Sequence, residues 1–331
     1  MSRKPHRRRR RSPFRFLLVC IFTVAALYAG AHCIFRAPST PAPESTPQEQ
    51  QADPSVPEHD PEAEAIRAHQ ARKKDCYTIL VSGVDNDNGG SDTNILVNFN
   101  AGEGYAYGVS IPRDTKAVYN GKSHKINNAY NTGGMELLSE VISDQLGIPI
   151  DYTVLLDLRG FVALVDAIDG VDFNIPVNMN YDDPTQNLHI HFNKGMRHLS
   201  GRDAIKVVRF RHNNDGTGYG NEDIGRMQTQ QNFLKAVAKK MLSVSTIPNI
   251  KELAQVFTDY VETDGLTVGN LVWMGNAMLS MGPENINFST LPGEWKSPFI
   301  YADQDAVLEL VNTYLNPYIE DRVPEDLNIP A

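Results

Sequence analysis

From Tyr77 to Leu315 strand-like and helix-like patterns alternate without a polar gap long enough to separate two domains. That alternation restricts the fold more than any other feature. Tyr77–Ser82, Asn94–Phe99 and Tyr105–Ile111 are rich in β-branched and aromatic residues and read as strands. An amphipathic helix over Met135–Leu146 stops at Gly147. A strand over Tyr152–Leu156, a helix over Leu158–Ile168 stopped by Gly170, and a strand over Val171–Ile175 follow. Further helices are expected over Asp223–Leu242, Ile250–Val261, Val268–Met281 and Gln304–Leu315, with a strand over Ile286–Leu291. The mixture predicts one α/β domain over 75–320: a central mixed sheet covered by helices on both faces, with 321–331 as a tail.

What precedes the domain is of a different kind. Residues 1–36 hold nine Lys or Arg and no acid, which leaves 22 bases against 40 acids in the rest of the chain. A body of net charge −18 argues against nucleic acid as a partner. Arg7–Arg11 and Arg15 precede about 20 apolar residues over 16–35, enough to span a bilayer as a helix. The basic run 1–15 then stays cytoplasmic and the folded domain lies outside. An uncleaved signal anchor fits this length; Ala29-Gly30-Ala31 also resembles a signal-peptidase site, and a lipoprotein at Cys33 fits less well beside His32. Residues 36–74 begin with seven prolines over Ala37–Pro61 and read as a disordered spacer, with a short polar helix expected over Glu62–Lys74. Cys76 has no cysteine partner outside the membrane, so a buried structural role is expected.

Several polar motifs interrupt the strands. Asp85 ends the first and Asp92 precedes the second; together they could hold Mg²⁺, or Asp85–Asn88 could simply form a turn. Arg113 and Asp114 close the third strand, either as a phosphate clamp and an orienting or basic carboxylate, or as an ordinary ion pair. Lys125 follows, and solvated surface is its plain reading. Val207–His212, read as extended, puts Arg209 and Arg211 on one face, where two guanidinium groups favour an anion between them. Asp223 suits the N-cap of the long helix, with Arg226 and Gln230 one turn apart behind it. Four arginines on an acidic body point to a polyanion such as a pyrophosphate. His189 and His191 share a strand face and could bind zinc, but no third ligand stands out, so they read as surface.

In this order Gly83-Val-Asp85, Ser91-Asp-Thr93, Ser110-Ile-Pro-Arg-Asp-Thr115, Lys125-Ile-Asn-Asn-Ala-Tyr130, Arg209-Phe-Arg211, Asp223-Ile-Gly-Arg226 and Leu291-Pro-Gly293 resemble the LytR-CpsA-Psr family of bacterial cell-envelope proteins. The resemblance implies a membrane-anchored phosphotransferase. It would move an anionic glycopolymer, such as teichoic acid or capsular polysaccharide, from a polyprenyl-pyrophosphate carrier to peptidoglycan on the outer face of a bacterial membrane. Asp85 and Asp92 would hold Mg²⁺; Arg113, Lys125, Arg209, Arg211, Arg226 and Gln230 would bind the pyrophosphate. Arg113 and Arg226 would also act in catalysis, Asp114 or Asp223 would be the base, and the lipid tail would enter an apolar cleft between sheet and helices. Gly90 departs from the pattern, standing where members often carry a basic residue, which implies one phosphate contact fewer. His212–Asn221 is longer and richer in Gly and Asn than the pattern, and suggests a local lid. An envelope regulator that binds lipid, or a polyprenyl-pyrophosphate hydrolase, would use an overlapping set of residues; the regulator would not need the metal.

Overall fold

The computed structural model describes residues 36–39, 69–84, 90–220, 222–241 and 250–331. In chain order the domain runs β1 (Cys76–Val84), β2 (Ser91–Asn100), β3 (Tyr105–Ile111), β4 (Lys116–Tyr119), β5 (Lys122–Lys125), α1 (Asn127–Leu146), β6 (Tyr152–Asp157) and α2 (Leu158–Ala167). It continues with β7 (Val171–Ile175), β8 (Met179–Asp183), β9 (Leu188–Phe192), β10 (Gly195–Leu199), α3 (Gly201–Arg209), α4 (Glu222–Met241) and α5 (Ile250–Tyr260). Last come β11 (Val261–Thr263), α6 (Val268–Met281), β12 (Ile286–Thr290), β13 (Gly293–Lys296), β14 (Phe299–Ala302) and α7 (Gln304–Leu310), with a π-helical turn over Val311–Leu315.

The main sheet has the order β11-β6-β1-β2-β3-β12. β1, β2 and β3 are antiparallel to one another, while β6 lies parallel to β1 and β12 parallel to β3. Alternation along each strand sends side chains to two cores. Leu80 and Leu96 pack with Leu138, Ile142 and Val307 of α1 and α7. Tyr77, Ile79 and Phe99 pack with Trp273 and Met274 of α6. The expected mixed sheet with helices on both faces is therefore the observed architecture. A third cluster, centred on Phe173, Phe210 and Phe233, joins α2, α3 and α4 to the small strands β7–β10.

Three expectations need correction. Val207–His212 is not a strand: Val207 and Val208 belong to α3, which Ser200 caps through the Asp203 N–H. Ala204 and Val207 are buried and Val208 half-buried, a helical i, i+3, i+4 stripe that outweighs the β-branched pair. α3 ends at Arg209, and Phe210, extended and buried, turns the chain outward, so Arg209 and Arg211 do not share a strand face. The tail 321–331 is packed: Leu327 joins the α1 core, and Arg322 is buried with its guanidinium on the His69 carbonyl. Asp223 lies inside α4 rather than at its N-cap, because the helix already includes Glu222.

Helix α1 begins eight residues before the expected Met135 and runs through a kink at Gly133 and Gly134; it ends, as expected, at Gly147 in the left-handed region. A side chain there would also strike the Asp326 backbone at 2.5 Å. The spacer's first described residues are seated on the domain: the Pro38 carbonyl accepts from the Tyr77 hydroxyl at 3.0 Å, and Ser39 accepts from Tyr152. Asn270 of α6 donates to the Arg36 carbonyl. No described helix is long and apolar enough to cross a membrane, and residues 16–35 lie outside the described residues. Cys76 is free and buried, and burial pushes its thiol up to about 11.

The N-terminal edge of the sheet is held by Arg72, which grips buried Asp151 with both Nη atoms at 2.5 and 2.6 Å. Asp151 also accepts the Thr78 N–H and hydroxyl. Removing one partner strands a buried charge. Arg72→Met is expected to lower unfolding free energy by about 3–5 kcal/mol, read from urea denaturation at neutral pH.

Candidate functional site

The strand directions place one set of ends together. β1, β3, β6 and β12 all finish, and β2 starts, at the same edge of the sheet. In open α/β sheets ligands gather at this carboxyl edge. A turn over Pro112–Thr115, closed by the Thr115 N–H on the Pro112 carbonyl at 3.0 Å, presents Arg113 and Asp114 there. Arg113 Nη1 donates to Asp92 Oδ1 at 2.7 Å across the β2–β3 edge. Lys125, at the end of β5, pairs with Asp114 Oδ1 at 2.8 Å, and Arg113 Nε lies 3.9 Å from the same oxygen. Asp92, Arg113, Asp114 and Lys125 thus form one alternating chain of charge. Each is between a quarter and a half exposed, so the chain is open to a ligand.

Gly90 borders this chain. Its φ of +84° is a conformation L side chains rarely adopt, and a Cβ there would lie 3.5–3.6 Å from the amides of Asn131 and Asn127 on α1. A lysine or arginine at position 90 would therefore need a different backbone here. Asp85, the other expected metal ligand, lies outside the described residues. The described part of the pair fits a hard cation: the Asp92 carboxylate is accessible, and the Ser91 hydroxyl beside it is buried without a hydrogen-bond partner among the described residues.

Helix α4 reaches the same edge from the far side of β12. Gln231 of α4 donates to the hydroxyl of Thr290 at 2.6 Å, and Thr290 is paired with Ser110 at the end of β3. Gln230 donates to the Val208 carbonyl at 3.1 Å, so its amide positions the end of α3 instead of reaching outward. Arg209 Nη2 reaches the Gln186 side chain at 2.7 Å, while Arg211 is exposed and makes no side-chain hydrogen bond or ion pair among the described residues. Arg226 lies one turn ahead of Gln230, half-buried; the side chain of Asp223 is outside the described residues. His212–Gly220 is no free lid: Asn213 and Asn214 accept the backbone N–H groups of Asn180 and Asp182 and fasten the loop along β8.

Asp157 joins the edge without having been expected. It pairs with Val84 in register, next to where β1 leaves for Asp85, and caps α2 by accepting the Gly160 N–H at 2.7 Å. The signal for it is an acid immediately before an apolar helical run. Burial acts to raise its pKa, but the Gly160 N–H and Arg159 outweigh that and hold the carboxyl below the ordinary carboxylate range. A lowered folded-state pKa gives stability that is complete above the ordinary range and lost as pH falls through the folded value. Asp157→Asn keeps a capping oxygen but loses the charge, so it should be less stable than the wild type at pH 7, with the gap in urea midpoints closing below about pH 4.

Comparison with known proteins agrees with this geometry. The model for the LytR_cpsA_psr family matches residues 43–316. The polyisoprenyl-teichoic acid–peptidoglycan teichoic acid transferase TagU of Bacillus cereus is 34% identical over 197 residues, covering 58% of this chain and 61% of that one. The chain thus spans about three fifths of that relative's length. Regulatory protein MsrR of Staphylococcus aureus is 26% identical over 275 residues, 80% of each chain. The crystal structure of B. subtilis TagV superposes with a TM-score of 0.62 at 26% identity, covering 73% of this chain and 96% of that one. With the family model covering residues 43–316, well over half of the sequence, the chain belongs to the LytR_cpsA_psr family of cell-envelope proteins.

Proposed function

We propose that the chain is a membrane-anchored phosphotransferase that moves an anionic glycopolymer from a polyprenyl-pyrophosphate carrier to peptidoglycan. The observation that carries this reading is the placement of Arg113 and Lys125, held by Asp92 and Asp114, at the carboxyl edge of a sheet in an acidic body. Arginine forks suit pyrophosphate oxygens, and phosphoryl transfer depends mainly on positioning and on neutralising charge. TagU of B. cereus, named for transfer of polyisoprenyl-linked teichoic acid to peptidoglycan, supports the donor and acceptor.

In this account Arg113 leaves Asp92 to clamp the pyrophosphate, with Lys125 held beside it by Asp114. Arg209, Arg211 and Arg226 take the remaining oxygens, and Gln230 keeps the end of α3 in place for them. Asp85 and Asp92 are the residues that would hold Mg²⁺; bound there, it neutralises charge on the pyrophosphate. The acceptor hydroxyl of a peptidoglycan sugar attacks the glycan-linked phosphorus, and the bond to polyprenyl phosphate breaks. Its proton passes to a carboxylate, Asp223 or Asp114; Asp114 is already engaged by Lys125.

The lipid finds a lining on the α6 face. Val81, Val97 and Val154 of the sheet and Leu271, Trp273 and Met278 of α6 are only partly buried. Residues 36–39 are fastened at the starts of β1 and β6, opposite the charged edge. An anchor over 16–35 would therefore put the membrane at one end of this apolar strip and the pyrophosphate at the other. Of the cavities among the described residues, one of about 430 Å³ lies at the β13–β14 hairpin and has polar walls, including Glu294, Lys296 and Asp303. It suits a sugar better than a lipid.

The test uses the full chain in lipid nanodiscs, a polyprenyl-pyrophosphate-linked oligosaccharide and peptidoglycan fragments, with products followed by mass spectrometry. A glycan–peptidoglycan phosphodiester is expected, lost on chelation of Mg²⁺ and reduced by at least about a hundredfold in Arg113→Ala and in Asp92→Ala. Asp114→Asn and Asp223→Asn separate the two candidate bases. Polyprenyl phosphate released without coupling would make the chain a hydrolase. Lipid binding without turnover, unchanged in Asp92→Ala, would instead make it a regulator, the reading that the name of MsrR suggests.

A further inference from the structure

We infer that the β8–β9 hairpin carries a zinc site made of Asp182, His189 and His191, separate from the charged sheet edge. The hairpin pairs Asp182 directly opposite His189 and Asn180 opposite His191, so all four side chains lie on one face. The three ligating atoms lie within 4.8 Å of one another, and all three side chains are about half exposed.

The hydrogen bonds choose the tautomer. Asn180 Oδ1 accepts from His191 Nδ1 at 2.8 Å, which puts the proton on that nitrogen. In the neutral imidazole the lone pair of His191 Nε2 then faces Asp182 Oδ1 at 3.2 Å, acceptor toward acceptor. A cation between them satisfies both, and 3.2 Å is close to the roughly 3.3 Å spacing of two ligands in a tetrahedral zinc shell with bonds near 2.0 Å. His189 Nδ1 meets the same carboxylate oxygen at 2.5 Å. Asn180 thereby plays the part of the outer hydrogen-bond partner that orients a ligating histidine.

The backbone around the ligands is braced. Asn214 accepts the Asp182 N–H at 2.7 Å and donates to the Asp182 carbonyl at 3.0 Å. Two imidazoles and one carboxylate select zinc over magnesium and leave a fourth position open to water. The connection between the two strands carries Gln186, which holds Arg209, so an ion here would stiffen the hairpin behind that arginine.

The test titrates Zn²⁺ into the untagged full chain in detergent at pH 7.5 against a chromophoric chelator, with excess Mg²⁺ present. One equivalent is expected to bind and to raise the Tm. That binding should vanish in His189→Ala and His191→Ala and weaken about tenfold to a hundredfold in Asn180→Ala. It should persist in Asp92→Ala and in His198→Ala, whose exposed His198–Asp172 pair on β10–β7 has no third ligand among the described residues. Unchanged far-ultraviolet circular dichroism in each variant excludes loss of fold as the cause. Wild-type binding that survives both histidine substitutions, or disappears only in Asp92→Ala, would overturn the assignment, as would the absence of any equivalent bound.

Discussion

The parallel pairing of β6 with β1 and of β12 with β3, around an antiparallel β1–β2–β3 core, is the constraint on which the rest depends. It brings four strand ends to a single edge, where the start of β2 carries Asp92 and the turn after β3 carries Arg113 and Asp114. Arg113 bridges two carboxylates drawn from β2 and from its own turn, and Lys125 extends the chain from β5. Were β2 shifted by one residue, Asp92 would face the other side of the sheet and Arg113 would lose its partner. The buried alternation of Leu80 and Leu96 against α1, and of Ile79 and Phe99 against α6, prevents that slip.

An ion-paired edge of this kind also explains how a strongly acidic body can favour a polyanion. Arg113 and Lys125 are held in place by Asp92 and Asp114, and the proposed function has a more highly charged ligand displace those contacts. Exposed pairs contribute little to stability, so exchanging one for a pyrophosphate oxygen costs the fold little. Stability is placed elsewhere, in the buried Arg72–Asp151 grip and in the C-terminal residues packed under α1.

Much of this was legible in the residues. The three opening strands, Val268–Met281 and the Gly147 stop follow from periodicity and caps, and the charged motifs lie at strand ends as their spacing implies. Val207–His212 misled because two adjacent valines imitate a strand, while the helical signal depends on Ser200 and Ala204 several residues upstream. The packing of Leu327 and Arg322 depends on partners such as His69, more than 250 residues away in sequence, which no local pattern reveals. Asp182 is invisible as a partner of His189 until the hairpin register is known, seven residues apart across a turn. Arg113, Asp92 and Lys125 could be named from motifs, but their mutual pairing required the sheet.

The central claim is that the cationic edge holds a pyrophosphate, and ³¹P NMR tests it without relying on turnover. A soluble short-chain polyprenyl pyrophosphate would be titrated with the full chain in detergent, with Mg²⁺ present. The account predicts saturable shifts of both phosphorus resonances that weaken markedly in Arg113→Ala and again in Arg209→Ala. Resonances that do not move, or that move in both variants as they do with the wild type, would contradict it.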